Sequence, residues 1–116
     1  MPDTPPLTYE TTPVEVKSAL DRRDQILLLD VREPEEHAIC HIDGATLIPM
    51  RTIPQNVQEL EAAADSGQLI CVFCHHGVRS LSVVDWLRKQ GIDNCQSMAG
   101  GIDRWSIEVD LGVPRY

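Results

Sequence analysis

The alternation of apolar runs with helical patterns predicts an α/β fold built on a parallel sheet. Residues 26–29 and 69–73 are short and fully apolar, which is typical of strands buried on both faces. Segments with helical spacing come before, between and after these two runs. Strands joined through helices pair in parallel by right-handed crossovers, so we expect helices on both faces of the sheet.

The N-terminal quarter of the chain predicts a tail, a short strand and a helix. Met1–Pro6 contains three prolines and little apolar content, so we expect a flexible tail, followed by a single domain over residues 7–116. A short strand is predicted at 7–9. Residues 12–15 read Thr-Pro-Val-Glu, a capping residue followed by proline and an acid, and predict a helix over 13–22.

The central part continues the alternation of strands and helices. The apolar strand at 26–29 ends in Asp30. Residues 33–37 predict one short helix, whose glutamates we interpret as a solvated helix start. A strand is expected over 45–48, and apolar residues on one face predict a helix over 54–64.

The C-terminal part begins with the second apolar strand, 69–73, and contains one more helix and one more strand. The helix after 69–73 stops at Gly91, and residues 95–98 predict a last strand. Trp86 and Trp105 are expected to pack in the core or over the site rather than to bind a ligand. The inward face of the helix before Gly91 consists of Val83, Val84 and Leu87.

The turn after the second apolar strand carries the strongest chemical signal. Cys74 ends the run Leu69–Phe73 and is followed by His-His-Gly-Val-Arg-Ser, which places a thiol at a strand-to-helix turn. The first turn of a helix offers unpaired N–H groups and partial positive charge. Together with Arg79, these favour the nucleophilic thiolate. Cys74 is therefore the predicted nucleophile, at the sheet edge where parallel sheets bind ligands and where Asp30 also falls.

The residues that follow the thiol are candidate substrate-binding groups. The two histidines could donate hydrogen bonds or positive charge to a substrate, or could simply be solvated, and the sequence favours neither. The arginine could hold an oxyanion or a carboxylate such as that of Asp30. The candidate set is His75, His76, Gly77, Val78 and Arg79.

Composition narrows the classes of function and partner. The formal net charge of −8 disfavours binding to nucleic acid or to an anionic membrane. The chain contains neither a leader pattern nor an apolar run long enough to span a membrane, so a cytoplasmic location is expected. Four cysteines in a domain of this size do not predict a disulfide scaffold, although an even number permits two bridges.

Cys71 and Cys74 have the C-x-x-C spacing of redox pairs and zinc sites. Alternation along a strand would direct these two side chains to opposite faces, and the sequence offers no second pair of ligands at a matching spacing. We therefore expect no metal. No organic cofactor is expected either, because catalysis by a cysteine nucleophile needs none.

Three motifs in order resemble the rhodanese family, over nearly the whole chain after its first few residues. They are residues 30–36 with 41–45, residues 74–80, and residues 100–105. The resemblance implies a three-layer fold with about five parallel strands between helices. It also implies that the active cysteine, matched here by Cys74, carries a sulfane sulfur as a persulfide.

The resemblance further implies roles for residues around that cysteine. The N–H groups of the loop from Cys74 to Arg79 would surround the sulfur as an anion nest, and Gly77 would permit the backbone conformation. Asp30, Arg32 and His41 match family positions with a structural role, in which the side chains tie neighbouring loops to the active-site turn.

Two positions depart from the family pattern. Cys40 stands where the family usually has glycine. It could intercept the persulfide as a disulfide, but we favour a buried, small apolar role. Two histidines, His75 and His76, occupy positions where many members carry arginine or lysine.

The function implied is sulfur transfer in two displacement steps by a monomeric domain. The Cys74 thiolate would take the outer sulfur of thiosulfate or another persulfide donor and pass it to a thiol, cyanide or a protein acceptor. Arsenate reductases and related phosphatases use a similar loop with one more residue, whereas four residues separate Cys74 from Arg79. A non-catalytic sulfur carrier or interaction module is the other alternative.

Overall fold

The computed structural model describes residues 7–116, so the predicted tail at 1–6 lies outside the described residues. Five parallel strands form one sheet in the order β1-β5-β4-β2-β3, which confirms the predicted α/β class. The strands are β1 (Glu10–Thr11), β2 (Ile26–Asp30), β3 (Thr46–Leu47), β4 (Leu69–Phe73) and β5 (Cys95–Met98).

Within residues 7–116, five α-helices connect and follow the strands, and two short 3₁₀ turns, Met50–Thr52 and Pro54–Asn56, precede the third helix. The helices are α1 (Pro13–Asp21), α2 (Pro34–Ile39), α3 (Val57–Asp65), α4 (Val78–Lys89) and α5 (Gly101–Glu108). Among residues 7–116, no helix has both the length and the apolar character that crossing a membrane requires.

Two apolar clusters cover the sheet, one on each face, because successive side chains of a strand point to opposite sides. The first cluster joins Ile70, Val72 and Cys74 to residues of α3 and α4. The second joins Cys71 and Phe73 to residues of α1 and α5. Cys71 and Cys74 thus lie on opposite faces of the sheet, as strand alternation predicts.

The register of the sheet brings its polar ends together. Asp30 is aligned with Phe73 across β2 and β4, so the turn that holds Cys74 begins beside the end of β2. The backbone N–H of Val31 donates to the carbonyl of Phe73 over 3.1 Å. The candidate nucleophile therefore lies at the carboxyl edge of the sheet, in the turn that starts beside the end of β2.

The first strand lies later than predicted. Residues 10 and 11 pair with β5, whereas the predicted strand covered 7–9. Leu7 and Tyr9, whose apolar character prompted the prediction, are exposed, and the Arg88 guanidinium lies 4.2 Å from the centre of the Tyr9 ring. These two apolar residues therefore do not indicate a strand that is buried in the sheet.

The helix predicted over 54–64 is also divided differently. Residues 54–56 form a 3₁₀ turn, and α3 occupies Val57–Asp65. The backbone of Asn56, at φ −112° and ψ 12°, interrupts the helix, and its side-chain amide donates to the carbonyl of Thr52. The predicted strand at 45–48 is reduced to two residues, and the short helix begins one residue later, at Pro34.

Candidate active site

Two backbone N–H groups at the start of α4 surround the sulfur of Cys74. The Gly77 N–H donates to Sγ over 3.1 Å and the Ser80 N–H over 3.4 Å, while the Ser80 hydroxyl oxygen lies 3.4 Å from the same sulfur. Cys74 is only 1% exposed. The sulfur therefore occupies a small polar nest at a helix N-terminus, an arrangement that stabilises an anion.

The loop reaches this shape because Gly77 adopts a left-handed conformation. Its φ is +104°, and a Cβ at this position would lie 3.1 Å from the backbone N of Gly100. A side chain would thus be strained and would press on the next turn. Gly77 directs the chain into α4 and places its own N–H on the sulfur.

The first turn of α5 supports the loop from its other side. The N–H groups of Ile102 and Asp103 donate to the carbonyls of Cys74 and His75 over 2.9 and 3.1 Å. A Cβ on Gly101 would overlap both of those carbonyl oxygens. The loop carbonyls thus bind α5, while the Gly77 N–H is directed at the sulfur.

Ser80 and Ser97 extend the polar environment of the sulfur into the sheet. Both are fully buried, and their hydroxyl oxygens lie 2.7 Å apart. The Ser80 hydroxyl also donates to the carbonyl of Gly77 over 3.2 Å. Ser80 is not among the binding residues predicted from the sequence, although a hydroxyl directly after Arg79 in the first turn of a helix is a signal for such a contact.

Arg79 forms an ion pair with Glu36 and not with Asp30, the carboxylate suggested from the sequence. Its two terminal nitrogens donate to the two Glu36 oxygens over 2.7 and 2.8 Å. This pairing with Arg79 lowers the pKa of Glu36 to about 2. The interpretation of the acidic run as a solvated helix start is therefore wrong for Glu36, which caps α2 and reaches the start of α4.

Asp30 is instead the partner of Arg32, and both side chains are fully buried. The Arg32 guanidinium donates to both Asp30 oxygens and to the carbonyl of Cys40. It therefore joins the end of β2 to the end of α2, in the manner expected of a loop tie. His41, also expected to tie loops, is half exposed and lies 3.3 Å from Asp43.

Tyr116 and two histidines cover the rim of the site. The Tyr116 ring stacks on His75 at 3.8 Å, and His75 stacks on His76 at the same distance. The Tyr116 hydroxyl donates to Glu36 over 2.8 Å and accepts from Arg32 over 3.1 Å. Nothing in the sequence marked Tyr116, which meets Arg32 across 84 positions of the chain.

The five predicted substrate-binding residues are adjacent but face different surroundings. Gly77 contacts the sulfur, and Arg79 faces Glu36. Val78 is 76% exposed and His76 is also exposed at the mouth. Burial, aided by the neighbouring His76, lowers the pKa of His75 and so favours its neutral ring at pH 7.

The other cysteines are buried and free, as is Cys74. Burial raises the pKa of Cys71 to about 12, which keeps it a thiol. Cys40 packs in the second cluster, whereas Cys74 belongs to the first, and the Cys40 sulfur lies 3.9 Å from an Arg32 nitrogen. This burial supports the small apolar role that we favoured for Cys40.

Within residues 7–116, one group of three side chains has the composition of a metal site: His75, His76 and Asp103, whose ligand atoms lie within 4.8 Å of one another. The two rings stack nearly face to face, with an interplanar angle of 29°. The Asp103 carboxylate already accepts from Arg115 over 2.8 Å. Binding a metal here would require the rings to reorient and the Arg115 pair to open.

Comparison with known proteins relates the chain to a family. The family model described as Rhodanese-like domain matches residues 12–108 of the chain. The probable adenylyltransferase/sulfurtransferase MoeZ of Mycobacterium tuberculosis is 34% identical over 90% of the chain. The match spans 26% of that relative, and other curated relatives are covered to a similarly small extent, between 22% and 31%.

Two solved structures share the fold and match this chain over nearly their whole length. A rhodanese-like domain protein from Staphylococcus aureus is 33% identical, with a TM-score of 0.77 over 94% of this chain and 99% of that one. The human single-domain sulfurtransferase TSTD1 is 26% identical, with a TM-score of 0.74 over 88% of this chain and 98% of that one.

Proposed function

The chain belongs to the rhodanese-like domain family, and we propose that it is a sulfurtransferase that carries a sulfane sulfur as a persulfide on Cys74. The supporting observation is the nest around Sγ, in which the N–H groups of Gly77 and Ser80 lie 3.1 and 3.4 Å from the sulfur. Such a nest stabilises negative charge on the sulfur before and after it receives a second sulfur atom.

In the first step the Cys74 thiolate attacks the outer sulfur of the donor, which is thiosulfate or a persulfide. A new S–S bond forms at Sγ, the S–S bond of the donor breaks, and the electron pair leaves with sulfite or a thiolate. The negative charge is then carried by the persulfide formed on Sγ, the atom that the N–H groups of Gly77 and Ser80 contact.

In the second step a thiophilic acceptor attacks the terminal sulfur of the persulfide. The Cys74 S–S bond breaks, its electron pair returns to Sγ as thiolate, and the acceptor leaves with the sulfur. Cyanide serves as acceptor in an assay, and a thiol or a protein thiol serves in the cell. Neither step requires a metal or an organic cofactor, because each is a nucleophilic displacement that consumes no external oxidant or reductant.

Arg79 gives a reason to prefer sulfur transfer over arsenate reduction or phosphate hydrolysis. Both terminal nitrogens of its guanidinium bind Glu36, so the planar donor fork is already occupied by a carboxylate. An enzyme that binds a tetrahedral oxyanion uses such a fork for its substrate. The loop is also one residue shorter than in those relatives.

We further propose that the domain acts as a monomer in the cytoplasm. The four cysteines are free and buried, which fits a reducing compartment. Small-molecule donors and a thiol, cyanide or protein acceptor account for the exchange, and neither nucleic acid nor membrane is among the proposed partners, given the net charge of −8.

Intact mass measurement tests this function. Reduced protein treated with a sulfane-sulfur donor should gain about 32 Da, one sulfur atom at an activated cysteine, and should lose it on adding cyanide. Cys74→Ser should gain nothing under the same treatment. An unchanged wild-type mass with every donor would contradict the proposal and favour a binding module, with arsenate and phosphatase assays to follow.

A further inference from the structure

The arginines around the Cys74 turn are each neutralised by a carboxylate. The side chain of Arg79 pairs with Glu36 at 2.7 Å, and that of Arg115 pairs with Asp103 at 2.8 Å. Deeper in the protein, the fully buried Arg32 is paired with Asp30 in the same way. These pairs cancel the positive charge that Arg79, considered alone, would offer to an anionic donor.

Asp103 lies close to the loop itself. Its backbone N–H donates to the carbonyl of His75, and its carboxylate lies 3.9 Å from the His76 ring nitrogen. His75 contributes no charge at pH 7, because burial lowers its pKa. The mouth of the site therefore has little net positive charge to balance the thiolate of Cys74 and a negative donor.

Charge on the donor should matter under these conditions. Thiosulfate carries two negative charges and must approach a sulfur that itself is an anion in the reactive state. The protein as a whole has a formal net charge of −8, so its long-range field also repels a dianion. A donor with one negative charge or none experiences about half of this repulsion or less.

We propose that Asp103 and Glu36 are specificity-determining residues that neutralise Arg115 and Arg79 and thereby favour a sulfane-sulfur donor of charge −1 or 0 over dianionic thiosulfate. This inference rests on the proposed function, since it concerns the donor of the same persulfide. It assigns to two acidic residues outside the cysteine loop a role in choosing the substrate.

Thiosulfate and methanethiosulfonate form a matched pair of probes. Both present a terminal sulfane sulfur on a tetrahedral sulfur, but the first is a dianion and the second a monoanion. In each reaction the thiolate forms an S–S bond with the terminal sulfur, and the electron pair of the broken bond leaves with sulfite or methanesulfinate. Because intrinsic reactivities differ, the comparison rests on how each kcat/KM changes in a variant.

Asp103→Asn provides the main test, because it frees Arg115 while keeping the size of the side chain. We expect kcat/KM to rise about tenfold for thiosulfate and about threefold for methanethiosulfonate, as an interaction with charge −2 is twice that with charge −1. Asp24→Asn is the control, since it frees Arg22 from an exposed pair before β2, at the opposite edge of the sheet. It should change neither value.

The ionic-strength dependence of the wild-type enzyme is an independent test that needs no variant. Salt screens repulsion, so kcat/KM for thiosulfate should rise with ionic strength, and should rise less for the monoanion. A fall with added salt would indicate a cationic mouth and would overturn the inference, as would equal changes for both donors in Asp103→Asn.

These outcomes separate the inference from the proposed function. If neither of these donors nor a persulfide donor adds a sulfur atom to Cys74, the proposed function fails, and the inference fails with it. If both donors form the persulfide and Asp103→Asn leaves their ratio unchanged, sulfur transfer stands and only the role of the acidic residues is rejected.

Discussion

Cys71 and Cys74 are three residues apart and almost equally buried, with 0% and 1% of their surfaces exposed, yet their surroundings differ. Cys71 packs among apolar side chains on one face of β4, and burial raises its pKa to about 12. Cys74 lies at the turn after β4, and its sulfur accepts hydrogen bonds from the N–H groups of Gly77 and Ser80. We infer that the donors that reach the sulfur, and not its burial, distinguish the proposed nucleophile from a structural cysteine.

The largest expected effect comes from exchanging each cysteine for serine. Cys74→Ser should lower sulfur transfer to cyanide by about 10³-fold or more, since the hydroxyl is a poor nucleophile here. Cys71→Ser should keep activity within about threefold, while lowering the free energy of unfolding by about 1–3 kcal/mol, because it buries a hydroxyl among apolar groups. Steady-state assays and urea denaturation measure the two effects. An inactive but folded Cys71→Ser would contradict the comparison.

The second prediction concerns the first turn of α5, which packs against the Cys74 turn. Gly101→Ala places a Cβ into the carbonyl oxygens of Cys74 and His75, so it should lower the free energy of unfolding by about 3 kcal/mol or more. Gly91→Ala is the matched control, because Gly91 also has a positive φ, of +90°, but a Cβ added there would meet no atom within 4 Å. It should cost about 1 kcal/mol. Similar losses in the two variants, measured by urea denaturation, would show that contact with the turn is unimportant.

A third prediction separates contact with the sulfur from general polarity. Ser80→Ala removes the hydroxyl 3.4 Å from Sγ and keeps the backbone N–H, so kcat/KM should fall about tenfold, or about 1.4 kcal/mol. Ser97→Ala removes a hydroxyl that lies 2.7 Å from the Ser80 hydroxyl. The Ser97 hydroxyl forms no hydrogen bond with the sulfur of Cys74. The kcat/KM of Ser97→Ala should fall by less than about threefold. Each of the two variants should lower the free energy of unfolding by about 1 kcal/mol. Equal activity losses would show that the contact with Sγ has no special role.

The smallest expected effect is the acid dependence of the Glu36–Arg79 pair. The folded pKa of Glu36 is about 2, below its ordinary value of 4.5, so the pair stabilises the fold above pH 4.5 and this contribution is lost as pH falls toward 2. Glu36→Gln should be less stable by about 1 kcal/mol at pH 7 and should converge with wild type near pH 2. Urea denaturation at pH 7, 4.5 and 3 measures the difference.

Glu35→Gln serves as control for that series. Glu35 is exposed on the same turn of α2, and its removal should change the pH 7 stability by no more than about 0.5 kcal/mol. A stability difference between Glu36→Gln and wild type that stays constant from pH 7 to 3 would contradict the assignment of this pair.

Local signals account for what the sequence predicted correctly. The apolar runs at 26–29 and 69–73 became the central strands β2 and β4, because a run without polar interruption suits a strand buried on both faces. The opposed directions of Cys71 and Cys74 followed from strand alternation. The thiol turn followed from Gly77, whose positive φ permits the turn from strand to helix.

Contacts between distant positions account for what the sequence did not predict. Glu36 and Arg79 are 43 positions apart, and Tyr116 and Arg32 are 84 apart, so only the folded topology brings them together. β1 was misplaced because exposed Leu7 and Tyr9 resemble a strand in composition, whereas pairing with β5 fixes the strand at residues 10 and 11. The net charge at the site mouth, which depends on these pairs, could not be derived from composition.

Locating the transferred sulfur within wild-type protein tests the central claim most directly. After treatment with a donor and alkylation, tandem mass spectrometry of a peptide that contains both Cys71 and Cys74 assigns the extra sulfur atom to one residue. We expect it on Cys74 alone, since only this sulfur is held by the N–H groups of the turn. Extra sulfur on Cys71, or an even distribution between the two, would contradict the claim that hydrogen-bond donors select the reactive cysteine.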